Sequence, residues 1–553
     1  MGSMNRPSTS RSVRRSLLAI GLVTGLTASG AAVADAAVTS GAPADATAIT
    51  LTPSSDPGSG AISGRNLGFS VESADFAHGF LTKARMSQWL KTLGKHGVLR
   101  LGGYSMDLVW PAFGAYRNSP APSQAIGGTV DQSDLDQLRA LLHDSGWKIT
   151  LGVPLKSIID PSQIKSPTKD PSPAVTLDQA VAEVKAAHRT LGDDMLAVEI
   201  GNEYDNVTTL APAEYYATMK RYYAAIKQAV PDTNIRVTGP SANTATTNTQ
   251  LDGFVSAVQA DTAGDPRHMI SELTNHLYPQ SHCGTSNATI AGLMSTNTYI
   301  TDRNKLQGIM DITGRLNDGM PAVINESNSA SCSGQPGVSD TYASSLWSLD
   351  YLMQTAQSGV ARLQFHTNTA AICGDFQPRD SVNYPISYRY YGAFCAADQH
   401  ALDTNRLSAA PLYYGLWAFR QVPDGKFLNV NLPDTALPQL RAYAVKSRNG
   451  QLTMVLINIQ DPATSTSTTD TVTVNLPSAY RGGSAVTLQS TAAGGLASLD
   501  ASGITLGGRS ISDRGVQSGR PSATQVHVTG GQSTISVAPG TTQIITFRAP
   551  VKS

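Results

Sequence analysis

Short apolar runs bounded by turn residues recur along the middle of the chain. Each is followed by a stretch whose apolar positions return at helical spacing. The runs are GRNLGFSVE, GVLRLGG, KITLGVP, MLAVEIGN, IRVTGP, MISELTNHLYP, PAVINES and ARLQFHT. Among the stretches between and after them, residues 81–93, 135–145, 177–191, 213–229, 340–354 and 411–420 read as helices. Asp131 to Asp136 and the pair Ser339-Asp340 supply N-cap chemistry before two of these. Strands alternating with helices in this way predict a parallel βα repeat, and the eight runs are enough to close a (β/α)8 TIM barrel. A doubly wound open sheet is the alternative, but no glycine-rich dinucleotide loop follows the first strand.

The pattern changes after about Val422. LRAYAVKSRNGQLTMVLINIQ alternates apolar and polar residues around an Asn-Gly hairpin signal. DTVTVNLP, SAVTLQST, ATQVHVTG, STISVAPG and TQIITFRA follow, short and rich in Thr and Val. This part reads as an all-β sandwich, and its faces lack the aromatic platforms on which sugars stack, so its expected role is structural. The fold class is therefore α/β, a TIM barrel over residues 61–422 with a C-terminal all-β sandwich over 423–553. Residues 37–60 read as a linker, and TAITLTP within it is a strand that could join the β domain.

Residues 1–36 read as an export signal. Arg11, Arg14 and Arg15 precede the apolar run SLLAIGLVTGLTASGAAVADA, and cleavage after Ala34 or Ala36 fits. Met1 to Ser3, ahead of Met4, resemble a cloning remnant. The run holds too many Gly, Ser and Thr residues for a membrane span, so a secreted, extracellular chain with no membrane attachment after cleavage is expected. Lys+Arg and Asp+Glu both number 41, a balance that argues against nucleic acid as a partner. The cysteines Cys283, Cys332, Cys373 and Cys395 contain no C-x-x-C, so structural disulfides are expected over zinc, in any of three connectivities. Neither a metal-binding H-E-x-x-H nor a phosphate loop is present, and no cofactor is expected.

Two carboxylates stand at strand ends. Glu203 follows MLAVEIGN, the fourth run, and Glu326 lies in PAVINES, the seventh. Barrel closure sets these strand ends across the mouth from each other, at the face where barrel active sites lie. A pair of carboxyl groups, one protonated and one ionised, is the equipment for cleaving a glycosidic bond. Asn202 adds an amide for a sugar hydroxyl. The bland reading of either acid alone is a solvated loop charge.

These segments also carry a family resemblance. RLGGYSMDLVW, VEIGNEYDN, NHLYP and VINESNSASCSGQPGVSDTYASSLWSLDYL, in that order, resemble the segments of glycoside hydrolase family 79, which holds heparanase and microbial β-glucuronidases in the retaining clan of barrel glycosidases. The resemblance implies that Glu203 is the general acid/base, Glu326 the nucleophile and Tyr278 a hydrogen-bond donor to it. It implies that Glu72, Asp107 and Asn202 bind sugar hydroxyls, although Asp107 could equally cap a loop or pair with Arg100, and Tyr278 could be a packing aromatic. Arg100 is expected beneath the site, orienting acids. His276 reads as readily as a structural donor as a ligand-binding group.

The implied partner is a carbohydrate bearing β-linked glucuronic acid, with or without a 4-O-methyl group. Its carboxylate needs a reader. By resemblance to the microbial members, Tyr388 and Gly392 in NYPISYRYYGAF are expected to do this. Were Cys373 and Cys395 to pair, they would staple that loop over the pocket and favour exo cleavage. An endo-acting, heparanase-like enzyme would need basic residues for sulfates; a neutral-sugar glycosidase and a binding-only barrel are the other rivals.

Overall fold

The structure, a computed structural model, describes residues 48–548 except 80, 82–84, 166–171, 232–233, 244–247, 263–265, 317–318, 368–371, 374–375, 377–389, 405, 465 and 478. Among the described residues a closed parallel barrel runs through Leu67–Glu72, Val98–Gly102, Lys148–Val153, Met195–Ile200, Val237–Asn243, Ile270–His276, Ala322–Ser327 and Arg362–His366, in chain order. These are the eight apolar runs of the sequence. Most of their residues are buried because the outer face meets helices and the inner face meets the opposite strands.

Helix 132–145 shows how the sequence punctuates these elements. Asp131 accepts from Ser133 N while Asp134 reaches back to Asp131 N, a capping box, and Gly146 closes the helix in the left-handed region. Two helices, Ala343–Ser358 and Pro411–Phe419, are apolar or small almost all round. They pack on each other on the flank of the barrel that the β domain covers.

Two packed sheets build the core of the β domain. Gly425–Val430, Leu440–Ser447, Leu452–Asn458, Thr542–Phe547 and Gly482–Ser490 are neighbours in the larger; Asp470–Asn475 and Gln532–Val537 pair in the smaller. Ile49, Leu51, Val472, Val474, Ile535 and Val537 of the small sheet bury against Leu440, Ala444, Met454, Leu456, Ile545 and Phe547 of the large one. The far face of the large sheet, with Tyr443, Val445, Val455 and Ile457, joins the barrel's core. The period-two alternation of strand 440–447 thus serves two cores at once.

The residues before the barrel belong here too. Ala48–Leu51 lies parallel to Asp470–Asn475, and Pro53–Ile62 pairs antiparallel with Gly425–Val430. Two disulfides are present, Cys283–Cys332 and Cys373–Cys395.

Candidate active site

The strand carrying Glu199 ends at Ile200, and the chain turns sharply at Gly201 and Glu203. Gly201 has φ +71°, and a Cβ there would meet Leu155 at 2.6 Å, so both conformation and space call for glycine. Glu203 itself sits at φ 44°, ψ 57°, a left-handed conformation rare for a residue with a side chain. The turn leaves the Glu203 side chain 18% exposed at the barrel mouth.

Across the mouth, pairing between strands 322–327 and 362–366 slips after Ile324. The slip lets two successive side chains reach polar partners inside the barrel. Asn325 Nδ2 donates to Glu199 Oε2 and to Ser241 Oγ, each at 2.8 Å. Glu326 accepts from Arg100 Nη1 at 2.6 Å and from the Tyr278 hydroxyl at 3.0 Å.

One carboxylate oxygen each of Glu203 and Glu326, with a nitrogen of His276, lie within 4.8 Å of one another. His276 Nδ1 is 2.8 Å from Glu203 Oε1 and 3.7 Å from Glu326 Oε1. Asn206 Nδ2 donates to Glu203 Oε2 at 2.6 Å. Among the described residues this trio is the cluster whose ligand atoms are close enough to hold a cation. The fixed Arg100 guanidinium on Glu326 opposes that use.

Arg100 is the hub beneath both acids, its side chain wholly buried. It pairs with Glu199 and Glu326 and donates to Ser70 Oγ and to Asn202 Oδ1. With Oδ1 so held, Asn202 keeps its Nδ2 as a donor while it lines the cavity. Burial alone would push the Glu326 carboxyl up, but the surrounding charges of His276, His366 and Arg100 outweigh it and hold Glu326 far below the usual carboxylate range. Burial pulls the His366 imidazole down, yet Glu326 and Glu72 beside it leave its pKa raised. One acid of the pair is therefore ionised by construction, as a nucleophile must be.

Glu203, Glu326, Asn202 and Tyr278 line one cavity of about 720 Å³, with Tyr104, Lys156 and Tyr391 among its other walls. Glu72 and Asp107 are not among its described lining. Glu72 is buried, accepts from Ser105 N at 2.7 Å and lies 3.2 Å from His366 Nε2. Gly103, at φ +69°, has no room for a Cβ, which would stand 2.5 Å from the Glu72 carboxylate. Asp107 takes the loop-capping alternative: its Oδ1 accepts from Leu155 N and Lys156 N, each at 2.8 Å.

Gly392 lines a separate cavity of about 340 Å³ beside Cys373 and Cys395. Tyr388 lies outside the described residues. Among the described residues, the tyrosine of that segment lining the acid cavity is Tyr391, buried, its ring 6.5 Å from that of Tyr278. Cys283–Cys332 forms part of the wall; Cys373 and Cys395 also pair, and most of the loop that they would staple lies outside the described residues. Cys283–Cys332 ties the loop after Tyr278 to the loop after Glu326, alongside the pairing of Gln280-Ser281 with Ala330-Ser331.

Glu199, Asn325 and His366 were not singled out from sequence. Their signal was present, a polar residue inside an otherwise apolar strand, but that pattern does not say which partner it meets.

Residues 442–542 match the family model described as the glycosyl hydrolase family 79 C-terminal β domain. A β-glucuronidase of Neurospora crassa is 27% identical over 155 residues, 27% of this chain and 25% of that protein. A β-glucuronidase of Aspergillus niger is 30% identical over 100 residues, 18% of each. The matched stretches thus span a quarter or less of these relatives. Among solved structures, a 4-O-α-L-rhamnosyl-β-D-glucuronidase from Fusarium oxysporum superposes with TM-score 0.66 at 19% identity, covering 90% of this chain and all of that one. A family 51 arabinofuranosidase from Xanthomonas axonopodis gives 0.59 at 14%, covering 91% and all of that chain. The barrel with its β domain is thus a fold shared with glycosidases, and residues 442–542 carry the C-terminal β domain described for glycosyl hydrolase family 79.

Proposed function

We propose that this chain is an exported β-glucuronidase that removes terminal β-linked glucuronic acid, plain or 4-O-methylated, with retention of configuration. The observation that carries the reading is the pair of carboxylates facing each other with oxygens within 4.8 Å. That closeness suits a nucleophile and an acid/base, whose carboxyl groups stand about 5–5.5 Å apart in retaining enzymes, and leaves no room for the interposed water of an inverting one. Glu326 attacks the anomeric carbon while Glu203 protonates the departing oxygen. The glycosyl ester on Glu326 is then opened by water, whose proton Glu203 takes up.

The names of the two curated relatives support the sugar. The even charge balance supports a terminal sugar over a sulfated polymer. Export is supported by the leader-like N-terminus and by the pairing of four cysteines.

The test is release of chromophore from aryl β-glucuronide, β-glucoside, β-galactoside and β-xyloside, with proton NMR of the first-formed sugar. Turnover of the glucuronide with initial β-anomer is expected, and loss of turnover in Glu326→Ala. Initial α-anomer would overturn the double displacement. Cleavage of a neutral glycoside alone would overturn the sugar assignment.

A further inference from the structure

We infer that Glu199 is a positioning residue that governs how tightly Arg100 grips Glu326, and so how readily the nucleophile attacks. This deepens the retaining mechanism proposed above and rests on it.

Glu199 lies on strand Met195–Ile200 and is wholly buried. A carboxylate in such a place is costly unless it is paired and hydrogen-bonded. Both conditions are met. Arg100 Nε lies 2.9 Å from Oε1 and 3.0 Å from Oε2, and Nη2 lies 2.5 Å from Oε1. Asn325 Nδ2 donates to Oε2 at 2.8 Å. The remaining N–H groups of the guanidinium go elsewhere: Nη1 donates to Glu326 and Ser70, and Nη2 donates also to Asn202. Every N–H of Arg100 thus has an acceptor, and the hold of Glu199 on the Nε–Nη2 edge fixes the direction in which Nη1 points at Glu326.

One cation therefore stands between two carboxylates, 2.5 Å from Glu199 and 2.6 Å from Glu326. The two differ in what the reaction asks of them. Glu326 is charged only until it bonds the anomeric carbon, because the ester that forms is neutral. A cation that stabilises the free carboxylate therefore resists attack, and it favours departure of that carboxylate in the second step. Nitrogens of His276 and His366 each stand 3.7 Å from Glu326, and the Tyr278 hydroxyl donates to it as well. An unshared guanidinium added to these would hold the nucleophile back. Glu199 takes no part in bonding and offsets the guanidinium charge through both half-reactions. Glu326 is then oriented by Nη1 without being over-stabilised.

The test separates the two half-reactions in wild type, Glu199→Gln and Glu199→Asp, with the melting temperature of each recorded. Aryl release in a single turnover, with enzyme in excess, reads attack by Glu326 on whichever aryl glycoside wild type cleaves. Hydrolysis of the ester trapped with the matching 2-fluoro glycoside reads departure of Glu326. Glu199→Gln keeps the shape and loses the charge, so attack should slow about 10- to 100-fold while ester hydrolysis holds or quickens. Glu199→Asp keeps the charge on a shorter side chain, and its attack rate should lie between those of Glu199→Gln and wild type. If Glu199→Gln does not fold, Glu199→Asp decides alone by the same split. A fall in ester hydrolysis as large as the fall in attack would make Glu199 a structural partner of Arg100 and overturn the inference. Attack at or above the wild-type rate would do the same. Both of these outcomes leave the glucuronidase reading standing. Cleavage of a neutral glycoside alone removes the sugar assignment and leaves this test intact. A wild type that cleaves no glycoside, or traps no ester, ends the retaining mechanism and this inference together.

Discussion

At Glu326 the neighbours decide the charge. Tyr278 donates to Oε1 and Arg100 to Oε2, so each oxygen of the carboxylate is fixed before a substrate arrives. Removing the tyrosine hydroxyl alone, in Tyr278→Phe, deletes one hydrogen bond to a charged group. The expected result is a fall in kcat of about 10- to 100-fold with little change in melting temperature. Stopped-flow release of an aryl glucuronide's chromophore checks it, and an unchanged kcat would make Tyr278 a packing aromatic. At Glu203, Glu203→Gln removes the proposed proton donor and acceptor, and a loss of about 10²- to 10⁴-fold is expected. That loss should be smallest with aryl leaving groups that depart without protonation, a comparison read from the same kinetics.

Much of this was readable from the chain, since strand-end acids announce themselves against apolar runs. Arg100 was expected to orient acids, and it pairs with Glu199 and Glu326; Glu199, Asn325, His276 and His366 were harder. Each lies on a strand, and only closure of the barrel, with the pairing slip after Ile324, shows that they form one network. Asp107 was ambiguous for the same reason, because the backbone N–H groups that it caps belong to a loop far along the chain.

Elements were read from apolar periodicity, and the eight barrel strands lie where the runs are. What periodicity hides is a polar residue on the buried side of a helix. Helix Leu177–Leu191 places Glu183 inward, and burial pushes its carboxyl up to about 8. The folded-state pKa is above the unfolded one, so the neutral form belongs to the fold. The contribution to stability is fully present below about pH 4.5 and is lost as the pH rises through about 8. Glu183→Gln, which stays neutral, should therefore raise the melting temperature relative to wild type at pH 8–9 and show little or no gain near pH 4 (pH values approximate). Calorimetry across that range tests it; a gain that grows toward acid pH would contradict the assignment.

For the molecule as a whole, the contact between barrel and β domain is a polar joint set in apolar surroundings. Arg441 reaches from strand 440–447 to Asp350 at 3.5 Å and to the Met294 carbonyl at 3.1 Å, and it lies over the Tyr299 ring. The Tyr443 hydroxyl donates to Asp350 at 2.5 Å. Truncation in Arg441→Ala leaves Asp350 without its cation, and a loss of about 3–5 kcal/mol in unfolding free energy is expected. Urea denaturation followed by fluorescence measures it. Asp350→Asn with Arg441→Met should restore part of that loss, since a buried pair replaced together costs less than one broken.

Residues 48–62 complete the β domain, although the whole barrel separates them from the strands they pair with. During synthesis these first strands wait unpaired until residues beyond 425 emerge, and the central strand Thr542–Phe547 emerges later still. Such long-range pairing makes for slow maturation and a long interval with open sheet edges. A gene cut before Gly425 would then yield a barrel preceded by two strands with no partners, a product fated for aggregation more than for use as a minimal enzyme.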